Sequence, residues 1–197
     1  MKAVMASVPE HILEWRSRTG ADRHDEMWEG VLHMAPSPNR DHQEFVGAIL
    51  SWLRYNWNQP RGRRVYHEIN VAEPGTWPDN YRVPDLVLLT PARFHIDRNE
   101  YFDGGPDVVV EIRSPDDESY EKFDFYAKVG VQEIWVIDRD TRCPEIYVLV
   151  GSEYQRRETN TDGWLTSDAS GVEFRSAANE KLEIRLTGQN ESAALLP

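Results

Sequence analysis

The chain has 197 residues, 40% hydrophobic and 28% charged, with a formal net charge of −12. This composition suits one globular domain with a proper core, and no apolar run approaches the ~20 residues of a membrane span. The negative balance argues against a broad basic surface for non-specific nucleic-acid binding, though not against a local basic groove. The single cysteine, Cys143, excludes an internal disulfide and a cysteine-built zinc site. Pro9, Glu10 and His11 interrupt the first apolar stretch too early for a signal sequence, so the expected compartment is the cytoplasm.

Residues 9–18 read as a short amphipathic helix with Ser7 as N-cap and Ile12, Leu13 and Trp15 apolar. Residues 26–35 read as a hairpin turning near Glu29-Gly30, and the loop PSPNRD follows. A helix is expected over 41–58, with Asp41 as N-cap and Glu44 at the spacing of a capping box. Phe45, Ile49, Leu50, Trp52 and Leu53 give it a core face. The run PRGRR gathers Arg61, Arg63 and Arg64, as a local basic cluster or as a solvated turn. Residues 64–72 read as one strand, with Tyr66, Glu68 and Asn70 on one face and His67, Ile69 and Val71 on the other. A strand over 84–89 opens on proline, where a strand tolerates one.

Residues 90–105 are irregular, with one helical turn at PARFHI. A continuous apolar strand of the buried type spans 107–113. A helix over 117–129 follows, closed by Gly130. Strands over 133–138 and 145–150 are joined by the turn RDTRCP. EYQRRE, GWLTS, GVEFRS and KLEIRL read as short strands, and 188–197 as a frayed tail. The expected architecture is a single α/β domain over 1–197 with a mixed sheet, its core at about 26–150 and a C-terminal β extension over 151–187.

Three charges interrupt the apolar segments. Asp85 opens the run Leu86-Val87-Leu88-Leu89, Glu111 breaks the run from Val108 to Ile112, and Lys122 falls in the first turns of the next helix. An unpaired buried carboxylate is costly, so one kept in such a place commonly has a cation. Two converging carboxylates make a hard oxygen site for Mg2+ or Mn2+. Alternation puts Val109, Glu111 and Arg113 on one strand face. A neighbouring strand carrying Asp85, with the following helix packed above, brings Lys122 over both carboxylates. This set suits phosphodiester hydrolysis, in which a metal activates water and a cation stabilises developing charge. Asp85 and Glu111 are the expected metal ligands, the Ile112 carbonyl a further one, and Glu68 an accessory carboxylate. Asp107, a second aspartate after proline, lies about two pleats from Glu111, roughly 13 Å by strand rise, and reads as a strand cap. The same three charges also read as a structural ion-pair network.

Pro84-Asp85, Glu111-Ile112-Arg113-Ser114-Pro115, Lys122, Tyr126 and the run GVQEIWVID from Gly130 to Asp138 resemble the "putative restriction endonuclease" domain family of the PD-(D/E)XK nuclease superfamily. Trp28-Glu29-Gly30, Pro36-Ser37-Pro38 and His42 at a helix start also match its pattern. The resemblance spans roughly 26–150 and is most specific from Glu111 to Asp138. It implies a restriction-endonuclease-like fold, a mixed β-sheet flanked by helices, with a DNA-cleaving site that uses Mg2+ or Mn2+. The superfamily's lysine two residues after the glutamate is Arg113 here. Members often carry it on the following helix instead, which matches Lys122. A guanidinium cannot lose a proton and is not a point charge, yet it can hold a phosphate, so both assignments stay open.

Glu29, His42 and Tyr126 join as possible accessory residues. Their other readings are a turn residue, a helix-start histidine and a core tyrosine. The resulting expectation is an endonuclease acting on DNA, away from membranes, as a homodimer, since cutting both strands commonly uses two sites. Loss of Asp85, Glu111 or Lys122 should then cost orders of magnitude in rate with little loss of fold. The rival is a non-catalytic nuclease-fold module that binds nucleic acid or a protein partner.

Overall fold

The structure is a computed structural model; it describes all residues except 1, 2, 6, 7, 21, 35–38 and 116, and excludes the side chains of 3–5 and 61. The chain opens with β1 (Ala3–Met5), α1 (Glu10–Thr19), β2 (Glu26–Trp28) and β3 (Val31–Met34). α1 starts at Pro9 without a side-chain cap and buries no residue; Ser7 lies outside the described residues. β2 and β3 form the expected hairpin, with Met27 opposite Leu32. Its turn residues Glu29 (φ 50°) and Gly30 (φ 83°) are both left-handed, as a two-residue hairpin loop of the primed type requires.

α2 (Arg40–Leu53) is capped by Asn39, not Asp41; the Asn39 side chain accepts from the His42 N–H at 2.9 Å. Glu44 is therefore off the capping-box position. The helical path continues past Leu53 as a π turn (Arg54–Asn58) and a 3-10 turn (Gln59–Arg61). The expected strand over 64–72 is two strands, β4 (Arg64–His67) and β5 (Asn70–Ala72). Glu68 takes φ 52° between them, and the chain changes sheet there. The single face shared by Tyr66, Glu68 and Asn70 therefore does not exist. The two arginines of PRGRR whose side chains are described also separate. Arg63 lies over Trp57 and bonds the Ser170 carbonyl, whereas Arg64 lies over Phe94 and pairs with Asp97.

The remaining elements are β6 (Tyr81–Arg82), β7 (Leu86–Leu89), β8 (Tyr101–Asp103), β9 (Val108–Arg113), α3 (Phe123–Val129), β10 (Glu133–Asp138), β11 (Pro144–Val150), β12 (Glu153–Arg156), β13 (Leu165–Thr166), β14 (Val172–Ala177), β15 (Lys181–Leu186) and β16 (Gln189–Leu196). The expected helix over 117–129 is shortened to α3. Asp117 accepts from the Ser114 and Ser119 N–H groups, which holds the preceding residues in a turn and leaves Lys122 just outside the helix. The tail is not frayed. β16 pairs with β15, Trp52 Nε1 donates to the Ser192 carbonyl at 2.9 Å, and Leu196 is buried.

The strands make three sheets. The central one runs β12-β11-β10-β9-β7-β4, with β9 and β10 parallel and the other pairs antiparallel. A second runs β1-β3-β2-β6-β5-β8, and a third β13-β14-β15-β16. The central sheet separates two apolar clusters. Val108, Val110 and Ile112 face α2 and the third sheet in one; Val109 joins α3, Val71 and Phe102 in the other. Glu111 alternates onto the α3 side. β7 does the same, with Leu86 and Leu88 on one side and Val87 and Leu89 on the other. The β7–β9 register pairs Leu86 with Val110, and Asp85, just before β7, lies beside the end of β9, where it accepts from the Ile112 N–H. Among the described residues no helix is long and apolar enough to cross a membrane.

Candidate active site

Glu111 lies at the C-terminal end of β9 in a buried polar pocket beneath α3. Lys122 Nζ donates to both of its carboxylate oxygens, each at 3.1 Å, and Tyr126 Oη donates to Oε1 at 2.6 Å. The same ammonium lies 2.8 Å from Glu26 Oε1. Glu26 opens the β2–β3 hairpin and is itself held, Oε1 accepting from the Val83 N–H at 2.9 Å and Oε2 from Trp28 Nε1 at 2.7 Å. Glu26, Glu111, Lys122 and Tyr126 are all buried. One ammonium thus serves two carboxylates in a water-poor setting.

Asp85 sits at the rim of this pocket. Its Oδ2 accepts from the Ile112 N–H at 2.6 Å, and its Oδ1 lies 2.8 Å from His42 Nε2. His42 reaches it from the first turn of α2, where the Asn39 cap fixes the backbone. Burial opposes a charge on His42, but the hydrogen bond and charge of Asp85, aided by Glu68, outweigh it and raise its pKa. Glu68 contributes from a distance. Its N–H donates to the Asp85 carbonyl at 3.1 Å, while its carboxylate faces His24 at 3.8 Å and His67 at 3.7 Å.

Asp85, Glu111 and Lys122 are therefore brought together, with His42 and Tyr126 in direct contact with them. Arg113 turns away to Asp138 at 2.6 Å, its register partner on β10, so the cation beside Glu111 is Lys122. Glu29 is a turn residue whose N–H bonds Asn80. Asp107 ties the start of β9 to the Thr90 N–H. Glu26 was not anticipated. The sequence reads 26–35 as a hairpin, but within it the residue singled out is Glu29, three positions on.

The electrostatics are unequal. Burial pushes Glu111 up to about 7, because Lys122 only partly compensates and the charges of Asp85 and Glu26 add to the rise. Burial also opposes ionisation of Glu26, but Lys122 and the donors from Val83 and Trp28 outweigh it and lower its pKa. Lys122 is desolvated too, yet Glu111 and Glu26 hold it firmly protonated. Between the ordinary carboxylate value of 4.5 and about 7 the folded state carries a proton on Glu111 that the unfolded chain has lost. Stability must fall as pH rises through that window. His42, raised above 6.5, adds a fall of the same sign as pH passes its folded value. Urea unfolding from about pH 5 to about pH 8 should show a decline on the order of 2 kcal/mol, much of it absent in Glu111→Gln. A decline unchanged by that substitution would assign the window elsewhere.

The carboxylates of Asp85 and Glu111 are hard oxygen donors of the kind that divalent cations take. Among the described residues no three or more His, Cys, Asp or Glu side chains are grouped to hold an ion. A cation here would take few protein ligands and complete its shell with water and phosphate, as Mg2+ characteristically does.

The mixed sheet with its flanking helices defines a nuclease-type α/β fold. Residues 9–179 match the family described as "Uma2: Putative restriction endonuclease", and the chain belongs to that family. The structure is similar to the crystal structure of "a putative nuclease belonging to DUF820" from Anabaena variabilis ATCC 29413, with a TM-score of 0.58 and 22% identity over 74% of this chain and 82% of that one. At this identity the likeness shows a shared fold. No curated protein matches the chain. Family membership supports a nuclease-like function.

Proposed function

We propose that the protein is an endonuclease that hydrolyses phosphodiester bonds in DNA with Mg2+ or Mn2+. The observation that carries this reading is the convergence of Asp85, Glu111 and Lys122, from three separate segments, at the end of β9: Asp85 bonds the Ile112 N–H and Lys122 bonds Glu111. Asp85 and Glu111, with the Ile112 carbonyl, are the ligands. When bound, the cation polarises the scissile phosphate and lowers the pKa of the attacking water. Lys122 stabilises the charge that develops on the phosphate oxygens or orients the water. His42 and the Ile112 N–H orient Asp85, Tyr126 fixes the rotamer of Glu111, and Glu68 adds negative potential at the rim. The chain acts as one domain and as a homodimer in the cytoplasm, one site per strand of a duplex.

A second reading, a non-catalytic nuclease-fold module, is favoured by one specific feature: Lys122 already neutralises the carboxylate that the metal would need. Incubation of supercoiled plasmid with the protein and Mn2+ or EDTA separates the two. Nicking that needs the divalent ion supports the enzyme. Intact plasmid at saturating Mn2+ leaves the binding module.

A further inference from the structure

We propose that Glu26 is a positioning residue: it keeps the Lys122 ammonium over the site when Glu111 turns its oxygens to a cation. This rests on the metal reading above. Both Glu111 oxygens are engaged by Lys122 at 3.1 Å, so a cation can bind there only as that ion pair loosens. A buried ammonium left without a partner is costly. Glu26 removes that cost, because it already holds Lys122 at 2.8 Å, closer than Glu111 does.

Its mounting suits the task. Two neutral donors, the Val83 N–H and Trp28 Nε1, fix the carboxylate. Trp28 in turn stacks on His33 with ring centroids 4.1 Å apart and carries the Arg82 guanidinium on its ring at 4.2 Å. Val83 stands two residues before Asp85, so one short stretch of backbone both fastens Glu26 and delivers the rim aspartate. Glu26 touches neither Asp85 nor the rim in any hydrogen bond described above. Its influence on the site passes through Lys122.

The test is calorimetric titration of Mn2+ into wild type, Glu26→Gln, Glu26→Asp, Lys122→Met and the double variant Glu26→Gln/Lys122→Met, each checked for cooperative unfolding. The Val83 N–H and Trp28 Nε1 bond different oxygens of Glu26, so a glutamine with its single acceptor oxygen keeps one of these bonds and loses the other along with the charge that shares Lys122. Glu26→Gln should therefore weaken Mn2+ binding about tenfold, the range seen when support around a metal site is removed. In the Lys122→Met background the same change should cost less than about threefold, since no ammonium competes for Glu111. Glu26→Asp, which keeps the charge, should lie closer to wild type than Glu26→Gln. An equal loss with and without Lys122 would make Glu26 merely structural and overturn the inference, as would unchanged affinity in Glu26→Gln. If the Lys122 variants do not fold, Asp binding no better than Gln overturns it instead. Wild type that binds no Mn2+ overturns the metal reading itself, and this inference with it.

Discussion

Replacing Glu111 with glutamine should lower plasmid nicking by at least about 100-fold while leaving a cooperatively folding protein, because the change removes the charge of the proposed metal ligand with almost no change in shape. Glutamine is nearly isosteric and its amide oxygen still accepts from Tyr126, which now donates at 2.6 Å. Lys122 keeps Glu26 at 2.8 Å, so no buried charge is orphaned. The cost of burying Glu111 as an anion, visible in its pKa of about 7, disappears in the variant. The melting temperature should therefore hold or rise at alkaline pH. Nicking by Glu111→Gln at the wild-type rate would remove Glu111 from the site.

Lys122→Met should behave quite differently. The ammonium is the shared counter-charge of two buried carboxylates, and breaking a buried pair by removing one partner typically costs about 3–5 kcal/mol. Activity and stability should fall together. The carboxylates would respond by taking up protons, so the loss should be largest at alkaline pH and shrink on acidification. Chemical denaturation of wild type and variant at two pH values reads both effects. The buried network therefore predicts that Glu111→Gln leaves the fold intact and that Lys122→Met, against the expectation from sequence, does not. A Lys122→Met protein as stable as wild type at alkaline pH would contradict the buried network.

Much of this arrangement was legible in the residues. The β9 run Val108 to Arg113 signals a strand buried on both faces, and a carboxylate at Glu111 marks the one place where its pattern breaks. Asp85 after proline, at the mouth of a second apolar run, identified the neighbouring strand. What alternation cannot supply is a change of backbone course. Glu68 in a left-handed conformation splits one apparent strand between two sheets, and nothing in RRVYHEINVA announces it. The polar tail GQNESAALL looked solvated because its order comes from outside it, through pairing with β15 and the Trp52 hydrogen bond. Arg113 was a rival for the cationic role until its register partner, Asp138, could be seen. Glu26 was hidden for the deeper reason that it stands far from Glu111 in the chain and meets it only through a lysine contributed by a third segment.

The proposed activity requires that the cluster of Asp85, Glu111 and Lys122 take up a divalent cation. Calorimetric titration of Mn2+ into the wild-type protein and into Glu111→Gln tests that directly. One saturable site in wild type, lost in the variant while the fold persists, is the predicted result. No uptake by a folded wild-type protein would contradict it, and would return Asp85, Glu111 and Lys122 to the role of a structural ion-pair network.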